Sequence, residues 1–297
     1  MIRLTTTPVK TFVAKSKIPG IDFVINPYVG CPHRCIYCYA EYMRKFSGHS
    51  EPWGEFLDVK ICNTPLRPAQ LFHQTVILSS VTDPYNPFEK KYELTRQLLT
   101  QLIDCQAYVS ILTKSALVTR DIDLLKRLPR CEVALSFSTV DEKIRQQLEP
   151  GTSPIDEKIT ALKTLYQAGI KTVVMAAPLL PGISEWKQII QATSPYATHF
   201  RFDSLNMRTT FQSKLMDFID VHYPHLLTLY HDIYMQNNET YWETLQSEIK
   251  NYAHLKQLSV EIFFGKESGG SLSSAAPQVT THTATVENID PNQPSLF

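Results

Sequence analysis

The sequence has 297 residues, 43 % hydrophobic and 20 % charged, enough to bury one large core or two small ones. Twenty-nine basic residues balance twenty-nine acidic ones, so no global field draws the chain to DNA or to an anionic membrane, although a local basic groove remains open. No stretch approaches the roughly 20 apolar residues that span a bilayer, and the N-terminal MIRLTTTPVKTFVAK lacks the apolar run of a secretory signal. These features predict a cytoplasmic protein without a membrane segment. Thiols stay reduced in that compartment, so the six cysteines ask for a metal or redox explanation before a disulfide one.

Lead-in segments precede a first predicted strand over residues 21–26, followed by the loop carrying Cys31, Cys35 and Cys38 and by a helix over Tyr39–Phe46. A polar stretch with Gly48, Pro52 and Gly54 breaks that helix. Apolar runs predict strands over residues 75–79, 107–112, 132–138, 171–177 and 199–202. Helical patterns lie between them over residues 87–103, 116–127, 153–168 (stopped by Gly169) and 184–192. This alternation predicts an α/β fold with a parallel sheet. Six strand–helix units are too few to close an eight-stranded barrel, which leaves an open partial barrel or a doubly wound sheet. Residues 211–256 read as aromatic-rich helices whose aromatic stripe packs as core, and residues 259–264 as a last strand docking on the sheet. From about Lys266 the composition predicts disorder, giving a core domain with a C-terminal helical extension over 1–265 and a tail over 266–297.

The segment N-P-Y-V-G-C-P-H-R-C-I-Y-C-Y-A-E-Y, residues 26–42, has the spacing C-x3-C-x2-C. Three thiolates on a four-iron cubane leave one iron open to a small chelating molecule. Gly30 and Pro27 permit the tight loop that such a cluster requires. The uneven spacing differs from the paired C-x2-C knuckles of zinc ribbons. A zinc site with His33 as fourth ligand is the alternative, which would make the chain a structural or redox-sensing metal-binding module. His33 sits too close in the loop to wrap easily. Cys62, Cys105 and Cys131 read as small buried hydrophobes.

Companion motifs follow in order: W-G-E-F-L-D-V-K at residues 53–60, V-T-D-P-Y-N-P-F-E at 81–89, L-E-P-G-T-S-P at 148–154 and A-P-L-L-P-G at 177–182. With them, residues 20–265 resemble the radical S-adenosylmethionine superfamily, in its spore-photoproduct-lyase-like, photolyase-related branch. The resemblance implies a partial (β/α)6 barrel with a [4Fe–4S] cluster on Cys31, Cys35 and Cys38 at its open end. It implies that S-adenosylmethionine chelates the fourth iron and is cleaved by one electron to methionine and a 5′-deoxyadenosyl radical, which abstracts hydrogen from a substrate. The protein supplies position and exclusion of water, and a reductant such as flavodoxin or ferredoxin supplies the electron. Tyr37 matches the aromatic position near the adenine. The photoproduct lyases carry a cysteine just before the Thr/Ser-Asp segment, whereas this sequence reads Ser79-Ser80-Val81-Thr82-Asp83 without a thiol. A different substrate or a different hydrogen source is therefore expected. Nucleic acid, with lyase-like DNA repair, is the leading substrate class by analogy, and a peptide or small metabolite the competing one.

Ligands of open α/β sheets lie at the carboxyl ends of the strands. Thr82 or Asp83 can accept a hydrogen bond from the methionyl amino group, unless Asp83-Pro84 is only a turn. Lys114 follows an apolar strand directly, where it can neutralise the carboxylate. It also matches the position of the lysine with that role in the photoproduct lyases; a solvated lysine is the other reading. Ser136 and Ser138 share a strand face, and by similarity Ser136 faces the ribose or methionyl moiety. Arg145 and Glu149 either brace this end or form a surface ion pair. The final P-N-Q-P-S-L-F resembles the peptide by which bacterial replication and repair proteins bind the sliding clamp, with Leu296 and Phe297 in an apolar pocket and Gln293 on its rim.

Overall fold

A computed structural model describes residues 2–207 and 210–264. The expected tail, with Gln293, Leu296 and Phe297, lies outside the described residues. In chain order the strands are β1 (Arg3–Pro8), β2 (Val13–Lys15), β3 (Phe23–Ile25), β4 (Tyr28–Val29), β5 (Phe56–Ile61) and β6 (Thr75–Leu78). They continue with β7 (Tyr108–Thr113), β8 (Arg130–Ser136), β9 (Lys171–Leu179), β10 (His199–Ser204) and β11 (Val260–Phe263).

Among the described residues these strands form two sheets, a larger one ordered β11-β10-β9-β8-β7-β6-β3-β2 and a smaller one ordered β1-β5-β4. In the larger sheet β3, β6, β7, β8, β9 and β10 neighbour one another in parallel, β11 extends them in parallel, and β2 lies antiparallel on β3. The six parallel strands are the six expected from the sequence, with ends shifted by up to two residues. They read as nearly continuous apolar runs because both faces are covered. One face packs Val109, Ile111, Val133, Leu135 and Val174 against helical Leu98, Leu102, Leu162 and Leu165. The other face carries a smaller cluster of Ala134, Val173 and Met175 and then opens into a cavity. Residues from β2 at one end of the sheet and from β10 near the other line that same cavity, so the sheet is curled. A curled sheet with helices outside is the open partial barrel rather than the doubly wound alternative.

Several elements differ from the expected ones. The helix over 87–103 is two helices, Glu89–Tyr92 and Leu94–Asp104, parted at Glu93, which sits in the left-handed region at φ 50°. Tyr39–Phe46 is a 3₁₀ helix, and the segment after Ser115 is 3₁₀ over Ala116–Asp121 before a short α-helix at Ile122–Leu125. The lead-in segments and residues 53–60 hold β1, β2 and β5. A further helix, Glu142–Leu148, is capped by Asp141, whose carboxylate accepts from the backbone N–H of Lys143 at 2.7 Å and of Ile144 at 3.1 Å. The aromatic helices are Gln212–His222, Leu227–Tyr234 and Thr240–Lys256, with Tyr230 buried against Phe211, Leu215 and Ile219 as core.

Residues 81–89 are pinned by Glu89, a fully buried carboxylate. It accepts from the Tyr28 hydroxyl, from the backbone N–H of Thr95 at 3.1 Å and from Arg120 Nη2 at 2.7 Å. Removing it leaves the Tyr28 hydroxyl and the Thr95 N–H without their acceptor, while Arg120 keeps Asp121 at 2.8 Å. Glu89→Ala is therefore expected to cost about 1–3 kcal/mol, read as a lowered midpoint in urea unfolding.

Candidate functional site

The concave face of the larger sheet encloses a cavity of about 440 Å³. Its walls are the carboxyl ends of β6 to β10 and the loop after β4, the place where open α/β sheets hold ligands. Cys31, Cys35 and Cys38 all line it, and so do Tyr37, Thr82, Asp83, Lys114 and Ser136. Residues expected to act together from scattered motifs thus share one space.

The cysteine loop is held on three sides. Gly30 has φ +88°, and a Cβ there would lie 2.4 Å from the Phe56 carbonyl oxygen, so both the backbone angle and the close approach require glycine. Gly151 presses on the loop from the other side, where a Cβ would lie 2.3 Å from the Pro32 carbonyl oxygen. Its N–H donates to the His33 carbonyl at 2.9 Å, and the Ile36 N–H donates to the Leu148 carbonyl at 3.0 Å. From the third side the Thr82 hydroxyl donates to the Gly30 carbonyl at 2.6 Å.

Burial pushes all three thiols of the loop upward, with the indole N–H of Trp53 acting in the opposite direction on Cys38 by favouring its ionised form. That Trp53 nitrogen is buried and has no oxygen or nitrogen partner. Three thiols on one cavity wall, with an otherwise idle N–H donor beside one of them, fit a cluster that takes one thiolate per iron. The zinc alternative fits less well. Among the described residues no group of three His, Cys, Asp or Glu side chains is arranged for a single metal ion. His33, its fourth ligand, instead faces Asp83 with Nδ1 at 3.3 Å from Oδ2, and burial lowers its pKa.

Asp83 is occupied by the protein itself. One oxygen accepts from the Tyr85 N–H at 2.8 Å and the Thr113 hydroxyl at 2.7 Å, the other from the Lys114 N–H at 2.8 Å. The carboxylate shapes its own turn, as Asp before Pro does, and also ties that turn to the end of β7 and to the cysteine loop.

The floor of the cavity is a charged network centred on Glu149. Lys114 Nζ lies 3.0 Å from Glu149 Oε1 and donates to Ser136 Oγ at 2.6 Å, while Lys158 Nζ lies 3.6 Å from Glu149 Oε2. The hydroxyls of Tyr37 and Ser138 both donate to Glu149. Lys114 also sits over the Tyr37 ring, 5.7 Å from its centroid. Burial alone would raise the Glu149 pKa, but the two ammonium groups and the two hydroxyls outweigh it and hold the carboxylate ionised. Burial lowers Lys158 to about 8. Lys114 feels the same penalty, and Glu149 more than offsets it, so its pKa is raised. Arg145 is buried too, donating to the Glu149 carbonyl at 2.9 Å. Glu149 and Arg145 therefore form an internal brace, the first of the two readings left open by the sequence.

Two contributors escaped the sequence reading. Lys158 falls on the apolar stripe Ile155, Leu162, Leu165 of its helix, so a lysine at a core position was the available signal. Asp203 closes β10, where the register against β9 shifts between Phe202 and Ser204, a device that re-aims side chains. It lines the cavity with one buried oxygen lacking any hydrogen-bond partner, and burial pushes its carboxyl up to about 7.

Gly151→Ala is expected to drive the loop off its support, giving faster hydrogen exchange at the Ile36 amide while the β8 amides stay protected. Asp203 carries a pH signature. Its folded pKa lies above the ordinary 3.8, so its favourable contribution is complete below about pH 4 and lost as pH rises toward 7. Asp203→Asn should gain stability relative to the parent through that window and keep a constant difference above it. Thermal midpoints at a series of pH values would show a flat difference if the carboxyl were solvated.

Comparison with known proteins agrees with this geometry. The family model of the radical SAM superfamily matches residues 25–191. An uncharacterized protein of Methanocaldococcus jannaschii is 32 % identical over 260 residues, covering 88 % of this chain and 96 % of that protein. The radical SAM Nalpha-GlyT isomerase of Pseudomonas phage M6 is 29 % identical over 165 residues, 53 % of this chain and 33 % of the isomerase. Among solved structures, a spore photoproduct lyase variant with bound AdoMet and dinucleoside spore photoproduct superposes with TM-score 0.53 at 16 % identity, over 74 % of this chain and 66 % of the lyase. SuiB of Streptococcus suis bound to S-adenosylmethionine gives 0.53 at 15 % identity, over 82 % of this chain and 50 % of SuiB. These structures share the fold. By its matched residues and its architecture, the chain belongs to the radical SAM superfamily.

Proposed function

We propose that this radical SAM enzyme acts on a base-containing substrate, a nucleotide or nucleic acid, with Cys31, Cys35 and Cys38 as the cluster ligands. The observation that carries the cofactor assignment is the convergence of three thiols, a lysine braced by a buried carboxylate, and an aromatic ring on one cavity. The [4Fe–4S] cluster with S-adenosylmethionine supplies one-electron reductive cleavage to a 5′-deoxyadenosyl radical, with the electron arriving from a reductant such as flavodoxin or ferredoxin.

The chain's own residues bind and orient. Lys114 holds its ammonium at the cavity wall against Ser136 and Glu149 and is the group for the methionyl carboxylate. Lys114 reaches the cavity while Glu149 and Lys158 stay buried behind it, so its ammonium is the cation an incoming carboxylate meets. Tyr37, tied to Glu149 through its hydroxyl, keeps its ring fixed for the adenine. Ser136 stands beside Lys114 for the ribose or methionyl groups. Thr82 and Asp83 hold the loop through Gly30, Thr113 and the Lys114 backbone, and the Thr82 hydroxyl oxygen keeps lone pairs with which to accept from the amino group. Trp53 favours the thiolate of Cys38. Val24, Ile77, Leu112 and Met175 give the cavity an apolar wall that excludes water from a reactive species.

The substrate class rests on the lyase bound to a dinucleoside spore photoproduct. SuiB bound to a precursor peptide, superposing equally well at TM-score 0.53, supports a peptide as the second reading. Repair of spore photoproduct itself is disfavoured by the absence of a thiol over residues 79–83. Clamp binding through Gln293, Leu296 and Phe297 rests on the sequence alone, as does a cytoplasmic location; among the described residues no helix is long and apolar enough to cross a membrane.

Anaerobic reconstitution with iron and sulfide, followed by dithionite and S-adenosylmethionine, is expected to yield 5′-deoxyadenosine, and Cys35→Ala to abolish it. Deuterium from a perdeuterated thymidine dinucleotide should then appear in the 5′-deoxyadenosine. Transfer from a deuterated peptide and not from the dinucleotide would overturn the base-containing class.

A further inference from the structure

The cavity lining includes residues that the cofactor assignment does not use, and they carry two kinds of chemistry. Lys15 ends β2, and Lys17 lies two residues later, just beyond the strand. Both lysines are exposed and both line the cavity, and among the described residues neither has an ion-pair partner within 4.0 Å. Tyr39 and Tyr42 lie three apart on the 3₁₀ helix Tyr39–Phe46, where positions i and i+3 eclipse. They too line the cavity, with 43 % and 42 % of their surface exposed. Tyr39 is held in place by its hydroxyl, which donates to the Ser80 carbonyl, so its ring is a fixed platform.

A strand end with the residues just after it and one turn of a 3₁₀ helix thus bring a pair of cations and a pair of exposed rings to one cavity. Exposed aromatic surface at a cavity mouth is not explained by core packing, and unpaired cations beside it select an anion that carries an aromatic face. Cations along a groove with rings on which bases stack are the elements of single-stranded nucleic-acid binding. Asp203, in the same lining with its free oxygen, offers an acceptor to a base N–H. The balanced net charge of the chain does not oppose this, because the attraction is local.

We infer that the cavity mouth is a binding cleft for single-stranded nucleic acid, with phosphates at Lys15 and Lys17 and a base stacked on Tyr39 and Tyr42. The inference rests on the base-containing substrate class proposed above and names the residues that admit it.

The test is binding of fluorescein-labelled hexathymidylate to the reconstituted holoenzyme, followed by anisotropy across a salt series. Each phosphate contact contributes about 0.7 to the slope of log affinity against log salt, so Lys15→Ala/Lys17→Ala is expected to make the slope shallower by about 1.4. Tyr42→Ala is expected to lower affinity about tenfold at every salt concentration with the slope unchanged, because stacking is uncharged. Lys250→Ala, an exposed lysine on the helix Thr240–Lys256 away from the cavity lining, should behave as the parent, and matching thermal midpoints establish that each variant is folded. Binding with a slope insensitive to the Lys15/Lys17 pair overturns the cleft and leaves the substrate class standing. No binding of hexathymidylate by the parent at low salt likewise overturns the cleft, and the substrate class then stands or falls on deuterium transfer from the dinucleotide.

Discussion

A carboxylate buried in the floor of the cavity organises the surrounding chain. Glu149 has no exposed surface, and an ionised group in that position is costly unless it is fully paired. Its partners come from four separate places: Tyr37 in the cysteine loop, Lys114 after β7, Ser138 after β8 and Lys158 on the helix Ile155–Gln167. Each of these supplies a hydrogen bond or an ion pair that the buried carboxylate would otherwise lack. The anion therefore sets the position of an ammonium group and of an aromatic ring together, the two groups proposed above for the cofactor's carboxylate and adenine.

Asp83 repeats the arrangement on a smaller scale. It joins the turn after β6, the end of β7 and His33 of the cysteine loop. Backbone bonds from Gly151 and Ile36 add a further latch. The loop is thus fixed by several contacts from the surrounding barrel, the condition under which a site is preorganised rather than assembled on binding.

The cysteine spacing, the six parallel strands and eight of the residues lining the cavity were legible because each carries a local signature: a motif, an apolar run, or a polar residue directly after a strand. The elements that escaped lacked one. β1 reads R-L-T-T-T-P and β4 is two residues long, too polar or too short for an apolar pattern. The helix after Glu89 divides because Glu93 takes a left-handed conformation, and nothing in its side chain announces that. Asp83 looked available for a ligand because its partner Thr113 lies 30 residues away. Asp203 needed the register shift beside it to be seen, whereas Lys158 was readable all along as a charge on an apolar stripe.

The N-terminal strands bear on how the protein can be trimmed. The family match begins at residue 25, yet β2 supplies one wall of the cavity and β1 is an outer strand beside β5. On β1, Thr5 donates to Asp58, which also meets His49 Nε2 at 2.8 Å. A fragment cut to the matched span would shed a flank of the opening and uncover the β5 edge next to the glycine turn of the cysteine loop. The minimal catalytic unit is therefore longer at its front than the family boundary indicates, and an affinity handle belongs upstream of residue 3, not in place of the strand that starts there.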